Sequence, residues 1–373
     1  MKQILILSFS RIESDPRVRR QIDLFRDEWR VVTCGYGPRP DGSSEHLRVP
    51  DEFPVWRYPR AAVVARWFHR AYWGNRALTW ARNALAGQEF DVVFANEVES
   101  AGLADSLNPR LGFHVDLHEY APTLHSELLT FRLFVAPFLR WQLRTFVSRA
   151  ASTTTVGRAI AERYRREYGF DPGVVMNAPR YSERSHSPSS TPIRIVHAGA
   201  ALRNRRLETL IDAVERTTAD VTLDLYLPAN DPGYLQELRE RASTVSSVQI
   251  LEPVPFDELV DTLAAYDVGI HVLAPTNYNN AYAMPNKFFE YVQARLGLVI
   301  GPSPEMAATL ERYDLGVVAE DFSAEAVARV LDELTPERVN EFKQASARAA
   351  RELSAEVQVP VWKKAVDEIA CSR

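Results

Sequence analysis

The sequence predicts an α/β protein of two doubly wound domains, each a parallel sheet covered by helices. Three observations predict it. At 373 residues the chain exceeds one ordinary hydrophobic core. Short apolar, β-rich runs alternate with helical patterns from end to end, and near-continuous apolar strands belong to sheets covered on both faces. One Ser- and Pro-rich stretch, "PRYSERSHSPSSTP" (179–192), lacks periodicity and divides that pattern into halves of similar size.

In chain order, the first half offers strands at 4–9, 31–34, 55–58, 91–96, 113–119, 152–156 and 174–178. The second offers 193–200, 221–227, 248–251, 268–274, 296–300 and 316–320. One helix start is plain. In "SDPRVRRQIDLFRD", Asp15 suits the N-cap and Pro16 the first helical position, and Val18, Ile22 and Phe25 form an apolar stripe. Arg17 sits in that first turn and either reaches a ligand on the acceptor side or stands solvated. The domains are then 1–182 and 193–355, joined by a linker at 183–192. Ligands of such folds bind beyond the carboxyl ends of the strands, in a cleft where two halves face each other.

Composition excludes several classes. A net charge of −5 gives no reason to expect nucleic acid. Cys34 and Cys371 alone build neither a disulfide framework nor a zinc site, which fits a reducing, cytoplasmic setting. No apolar run reaches membrane-spanning length, and "MKQILILSFS" reads as a first strand rather than a secretion signal.

The stretch "AYAMPNKFFEYVQARLGLVI" (281–300) carries the strongest chemistry. Pro285 suits the first helical position with Met284 as N-cap, leaving the amides of Asn286, Lys287 and Phe288 open to an anion. Lys287 is one of only five lysines among 44 basic residues, and adds a point charge suited to phosphate. Glu290 lies one turn on, about 4.5 Å along the axis. A diphosphate at the helix start and a sugar diol on the carboxylate would use both; the other reading is a surface ion pair. The strand that follows places the helix start at the ligand edge of a parallel sheet.

Four further stretches carry candidates. "HAGAALRNRRLETLIDAV" (197–214) ends a strand in small residues, including Gly199, that admit a ligand, and offers Arg203, Arg205 and Arg206 to phosphate oxygens. It is not a dinucleotide fingerprint, which disfavours an NAD enzyme. "VDLHEY" (115–120) puts His118 and Glu119 at a strand end. "FANEVES" (94–100) does the same for Asn96 and Glu97, candidates to touch an acceptor hydroxyl. The arginine- and aromatic-rich stretch 55–85 reads as a helix with a stripe of Val64, Trp67, Phe68, Ala71, Leu78 and Ala81. Such a helix lies on an anionic membrane, lines an apolar acceptor pocket or packs on its own sheet; 131–146 is similar in composition. Neither metal-ligand spacing nor an Asp-x-Asp pair occurs, so a metal-independent reaction without cofactor is expected.

These stretches, in their order along nearly the whole chain, resemble GT-B glycosyltransferases, most of all the retaining enzymes of family 4. The resemblance rests on "SDPRVRRQIDLF", "DLHEY", "HAGAALRNRRLETLIDAV", "AAYDVGIHVL" and "PNKFFEYVQARLGLVI". It implies two Rossmann-like domains facing across a cleft, a sugar nucleotide held by the second, and a final helix (356–373) packed back on the first. It also implies Glu290 at the nucleotide ribose, Lys287 and Arg205 at the diphosphate, and His118 near the transferred sugar. The loop at 252–254, with Val254, would lie by the base. Tyr282 stands where the family carries the first acid of its Glu-x7-Glu motif, and Ala200 where it often carries an arginine.

The function expected is transfer of a sugar from a nucleotide diphosphate to a hydroxyl acceptor, with retention, in bacterial carbohydrate biosynthesis. The acceptor would be a glycan, a lipid-linked glycan or a small aglycone, and 55–85 would make peripheral contact with the inner face of the membrane. An epimerase of the same fold and a catalytically weak sugar-nucleotide-binding homologue are the alternatives.

Overall fold

The computed structural model describes residues 2–189 and 191–371, and the chain forms two compact units, Met1–Met176 with Val359–Arg373, and Asn177–Gln358. The first unit is built on β1 (Gln3–Arg11), whose Ile4, Leu5, Ile6 and Leu7 are fully buried. Such a strand needs a neighbour on each side and helices on both faces. It pairs in parallel with β2 (Arg30–Tyr36) and, across the crossover, β4 (Val92–Asn96). Adding β3 (Glu45–Arg48), β5 (Gly112–Leu117), β6 (Ser152–Thr155) and β7 (Gly173–Val174) gives the order β3-β2-β1-β4-β5-β6-β7, parallel throughout.

The expected strand at 55–58 is absent; β3 takes the edge instead, at 45–48. Pro54 and Pro59 flank "VWRY" and lack the N–H a ladder needs. Val55 is buried, but side chains satisfy its backbone: its N–H donates to the Tyr36 hydroxyl (2.9 Å) and its carbonyl accepts from Asn75 Nδ2 (2.6 Å). The long helix read over 55–85 is likewise three short ones, Arg60–Val64, Phe68–Trp73 and Arg76–Ala84. Arg66 at φ 58° ends the first, and the Asn75 side chain caps the third by accepting from the amides of Ala77 and Leu78. The stripe therefore splits. Ala71, Leu78 and Ala81 are buried, whereas Val64 and Trp67 face solvent.

The Pro16–Phe25 helix starts as its sequence dictates, with the Asp15 carboxylate accepting from the amides of Arg17 and Val18. Its first-turn arginine corrects one expectation. Arg17 is neither solvated nor turned toward a ligand: it is 4% exposed, and its guanidinium forks onto the Asp116 carboxylate at 2.7 and 2.8 Å. A guanidinium taken out of water demands such bidentate pairing. Its outer face lies 4.8 Å from the centroid of Trp362, a fully buried residue of the Pro360–Cys371 helix, which belongs to this unit. Trp362 also donates Nε1–H to Thr154 Oγ1 (3.1 Å) and meets Phe94 edge-on.

The second unit repeats the design. β8 (Ile193–Ala198), β9 (Val221–Tyr226), β10 (Val248–Leu251), β11 (Val268–His271), β12 (Gly297–Ile300) and β13 (Gly316–Val318) are parallel in the order β10-β9-β8-β11-β12-β13. The order reverses between β8 and β11, where doubly wound folds bind ligands. The Ser/Pro-rich stretch has no regular structure, yet it is tied to this unit. Ser182 N–H donates to Gln293 Oε1 (3.0 Å) and Ser189 N–H to Asn340 Oδ1 (2.8 Å). The Asn286–Gln293 helix lies close on β11, because Gly269 has no side chain: a Cβ there would fall 2.3 Å from the Tyr291 ring.

Trp362→Ala should cost about 3–5 kcal/mol, the usual loss for a buried tryptophan. Urea unfolding measures it, and an unchanged midpoint would show that the last helix does not brace the first sheet.

Candidate active site

In the second unit, the residues at the β8–β11 switch converge. Lys287 stands at the second position of the Asn286–Gln293 helix, half-buried, with Nζ 3.5 Å from His197 Nε2 at the end of β8. His197 Nδ1 faces the Ile270 carbonyl at 2.9 Å, so Nδ1 carries the proton and Nε2 presents its lone pair to the ammonium. Gly199 leaves room for the lysine: a Cβ there would lie 2.4 Å from Lys287 Nζ and would displace the ammonium. Burial, opposed by Glu290 and reinforced by Arg205, brings the Lys287 pKa down to about 8. Burial and the Lys287 charge hold His197 and His271 well below the usual imidazole range, so both are neutral. The His271 ring stacks near His197 (centroids 6.1 Å apart), and among the described residues neither of its nitrogens has a hydrogen-bond partner.

The arginine-rich turn sorts itself. Arg203 pairs with Glu237 and Asp231, and Arg206 lies 3.9 Å from Glu208. Arg205 makes no ion pair among the described residues and is the one whose charge is felt by Lys287, His197 and His271. Glu290 is 6% exposed, one turn along the helix from Lys287. The helix start differs by one residue from the expectation. Pro285 is the N-cap (ψ 153°) and Asn286 the first helical residue, while the Phe288 amide turns back to the Pro285 carbonyl at 3.1 Å. The amides of Asn286 and Lys287 are left as the anion-facing pair, and Met284 is buried at 3%. Tyr282 closes the short Tyr278–Ala281 helix and packs its ring on Tyr278 at 4.5 Å. Val254 lies past the end of the edge strand β10, beside Glu252, which pairs with Arg239.

In the first unit a second polar cluster sits at the ends of β4 and β5. Asp116 is fully buried; burial disfavours its charge, but Arg17 and His118 outweigh that and hold its pKa well below the carboxylate range. His118 Nε2 lies 3.1 Å from Asn96 Oδ1 and 3.4 Å from Asp116 Oδ2, and its Nδ1 lies 3.3 Å from Glu97 Oε1. Burial opposes its charging, yet Glu97 and Asp116 raise its pKa. Asn96 is 1% exposed, with its amide exchanging two bonds with Gln21 at 2.9 Å. It is thus a core residue that aims His118, not one that touches a ligand directly. Glu119 is exposed, and its carbonyl accepts from Tyr164.

Glu97 is the unusual member. It leaves β4 at φ 67°, ψ 162°, a region nearly reserved for glycine and costing about 1–3 kcal/mol for other residues. Its side chain remains 31% exposed, and burial, against the pull of His118, raises its pKa. The sequence reading missed His197, His271, Gln21 and Asp116. Their signal was present: a polar residue inside an otherwise apolar strand or stripe needs a partner. Among the described residues no group of three or more His, Cys, Asp and Glu is placed to hold a metal ion.

No family model matches the chain, and no curated protein does. Solved structures do. Sucrose-phosphate synthase from Thermosynechococcus elongatus superposes with a TM-score of 0.73 at 12% identity, over 100% of both chains. Anabaena HepE, in complex with UDP-glucose, gives 0.70 at 14% identity over 99% of this chain and 100% of that one. The E. coli trehalose-6-phosphate protein, bound with UDP-2-fluoro glucose, gives 0.69 at 12% over 98% of this chain and 99% of that one. The fold is that of the GT-B glycosyltransferases. The GT-B likeness spans nearly the whole chain, so both units are parts of one shared architecture and not a fusion peculiar to this chain.

Two outcomes follow from the geometry. Glu97→Gly should stabilise the protein by about 1 kcal/mol or more by relieving the backbone; thermal melting decides it, and a less stable variant would contradict it. Lys287 is charged below its pKa of about 8 and loses that charge above it. Affinity for a diphosphate anion such as pyrophosphate, if it binds at this cation, should therefore hold just below pH 8 and fall by up to tenfold per pH unit above it. Titration calorimetry should show that fall in the wild type and not in Lys287→Arg.

Proposed function

We propose that the protein is a glycosyltransferase that moves a sugar from a nucleoside diphosphate to a hydroxyl acceptor. One observation carries this reading. At the β8–β11 switch, Lys287 and Arg205 place two cations, neither in an ion pair among the described residues, beside a helix start and the small residue Gly199. Partly buried, unneutralised positive charge is costly alone and is relieved by an anionic ligand. Lys287, Arg205 and the amides of Asn286 and Lys287 suit a diphosphate, and Glu290 one turn on suits a ribose diol. The same groups stabilise the charge that develops on the leaving diphosphate, so no metal is required in this reading. Tyr282 and Val254 would border the sugar and the base.

On the first unit, Asp116 and Asn96 hold His118 at the end of β5, and the family resemblance assigns it to the transferred sugar. Glu97 and Glu119 would receive acceptor hydroxyls. Retention follows from the resemblance, with the departing phosphate taking the acceptor proton, and no enzymic nucleophile is then needed. The solved relatives bound with UDP-glucose or its fluoro analogue support a sugar nucleotide as donor.

Thermal melting against UDP, GDP, ADP and dTDP sugars tests the reading. One series should raise the melting temperature by several degrees, as saturating ligand does. Lys287→Ala and Glu290→Ala should each abolish that shift and lower transfer by about 10²–10³-fold. No shift with any sugar nucleotide would remove the donor site, and donor turnover without an acceptor product would make the protein an epimerase.

A further inference from the structure

The first unit carries a surface that its fold does not use. Among the described residues, nearly all the large apolar side chains left in solvent belong to two short segments of it. Trp56, Val64 and Trp67 come from one; Leu128, Leu129 and Leu133 come from the other. Trp56 is 74% exposed, Trp67 59% and Leu129 62%, so these side chains project outward and do not line a groove. The two segments are neighbours. The Arg60–Val64 helix lies against the π-helical turn Phe131–Val135, and the rings of Tyr58 and Phe68 pack on Phe138 at 4.8 and 5.5 Å. Arg66, at φ 58°, ends the first short helix just before Trp67.

The charge along these two segments is mostly positive. Residues 53–88 and 128–161 hold eleven arginines and not one Asp or Glu, in a chain of net charge −5, although Glu127 adjoins Leu128 and Arg149 pairs with Asp105. Arg57, Arg60, Arg66, Arg70 and Arg132 are exposed, and among the described residues none makes an ion pair. Exposed arginines elsewhere in the protein are commonly neutralised, as Arg48 is by Asp51, Arg241 by Asp212 and Arg329 by Glu320. Unpaired guanidiniums interleaved with projecting tryptophan and leucine match what an anionic lipid surface offers: headgroup phosphates for the charges, and a deformable apolar layer just beneath. A folded acidic partner would satisfy the charges but would need a pocket for each projecting side chain. No helix of the described residues is long and apolar enough to cross a membrane, so contact at this patch would be peripheral.

We propose that this patch docks the protein on an anionic lipid bilayer, with the arginines at the headgroups and the tryptophans and leucines in the interface. Together with the transferase reading, on which this clause alone rests, the docking implies an acceptor presented at a bilayer surface.

Co-sedimentation with vesicles tests it. Full-length protein should bind phosphatidylglycerol–phosphatidylcholine vesicles, bind pure phosphatidylcholine far more weakly, and come off as salt rises. Each exposed arginine replaced should cost about fivefold in binding, so the triple variant Arg57→Gln, Arg60→Gln, Arg66→Gln should lose about a hundredfold. Leu128→Ser, Leu129→Ser, Leu133→Ser together should also weaken binding, and brominated lipids should quench the tryptophan emission of the wild type. These residues are exposed, so melting temperatures should not change. Three results would overturn the proposal: no binding of the wild type to anionic vesicles, equal binding by the leucine variant, or retention on a soluble polyanion such as heparin but not on vesicles. Nucleotide-sugar binding, measured on the same variants, stays intact if only the docking idea fails.

Discussion

Every strand pairing in both sheets is parallel, and that constraint organises the rest. A parallel sheet sends each connection across a helix, so its strands are buried on both faces and all end on one edge. Polar residues tolerated near the middle of such strands must be paired, while those at the carboxyl ends are free to meet a ligand. Asp116 and His118 show the difference two residues apart. The first is sealed under Arg17, Gln21 and Thr154; the second keeps a side chain partly open, between Glu97 and Asp116.

The two units treat charge in opposite ways. In the first, buried charges are nearly all answered by a neighbour: Arg17 by Asp116, and His118 by Asp116 and Glu97. Such a network gives orientation more than stability, because desolvation consumes most of the Coulomb attraction. In the second, Lys343 and Arg194 close on Asp267 at the base of β11, but Lys287 and Arg205 near the other end of that strand make no ion pair among the described residues. The neutral imidazole of His197 supplies Lys287 with an acceptor that does not cancel its charge. That arrangement keeps a positive site available to an anion, at the cost of a lowered lysine pKa.

Much of the fold was legible in the sequence because burial on both faces writes itself as unbroken apolar runs. The first-domain helix start was legible too, since Asp15 and Pro16 act locally. The failures share a cause. "VWRY" is apolar and β-prone, but flanking prolines and the side chains of Tyr36 and Asn75 claim its backbone. The stretch 55–85 has a helical stripe, but Arg66 and Asn75 break it, and that break exposes the tryptophan and valine of the proposed lipid patch. Arg17 looked like a surface residue because its partner, Asp116, is 99 positions away. Local pattern carries no information about a partner so distant.

By itself, the sequence determined the class of fold, the strand order's raw material, the helix that carries Lys287 and Glu290, and the absence of acids within the basic–aromatic stretches. These are properties of composition and short-range periodicity, which side-chain chemistry sets residue by residue. Only the tertiary structure decided which polar residues serve the core and which stay exposed. It turned Arg17 and Asn96 inward, separated Arg205 from its paired neighbours, set His197 under Lys287 and bent the backbone at Glu97. Those outcomes depend on which strands end side by side, and chain crossovers fix that only once the sheet has assembled.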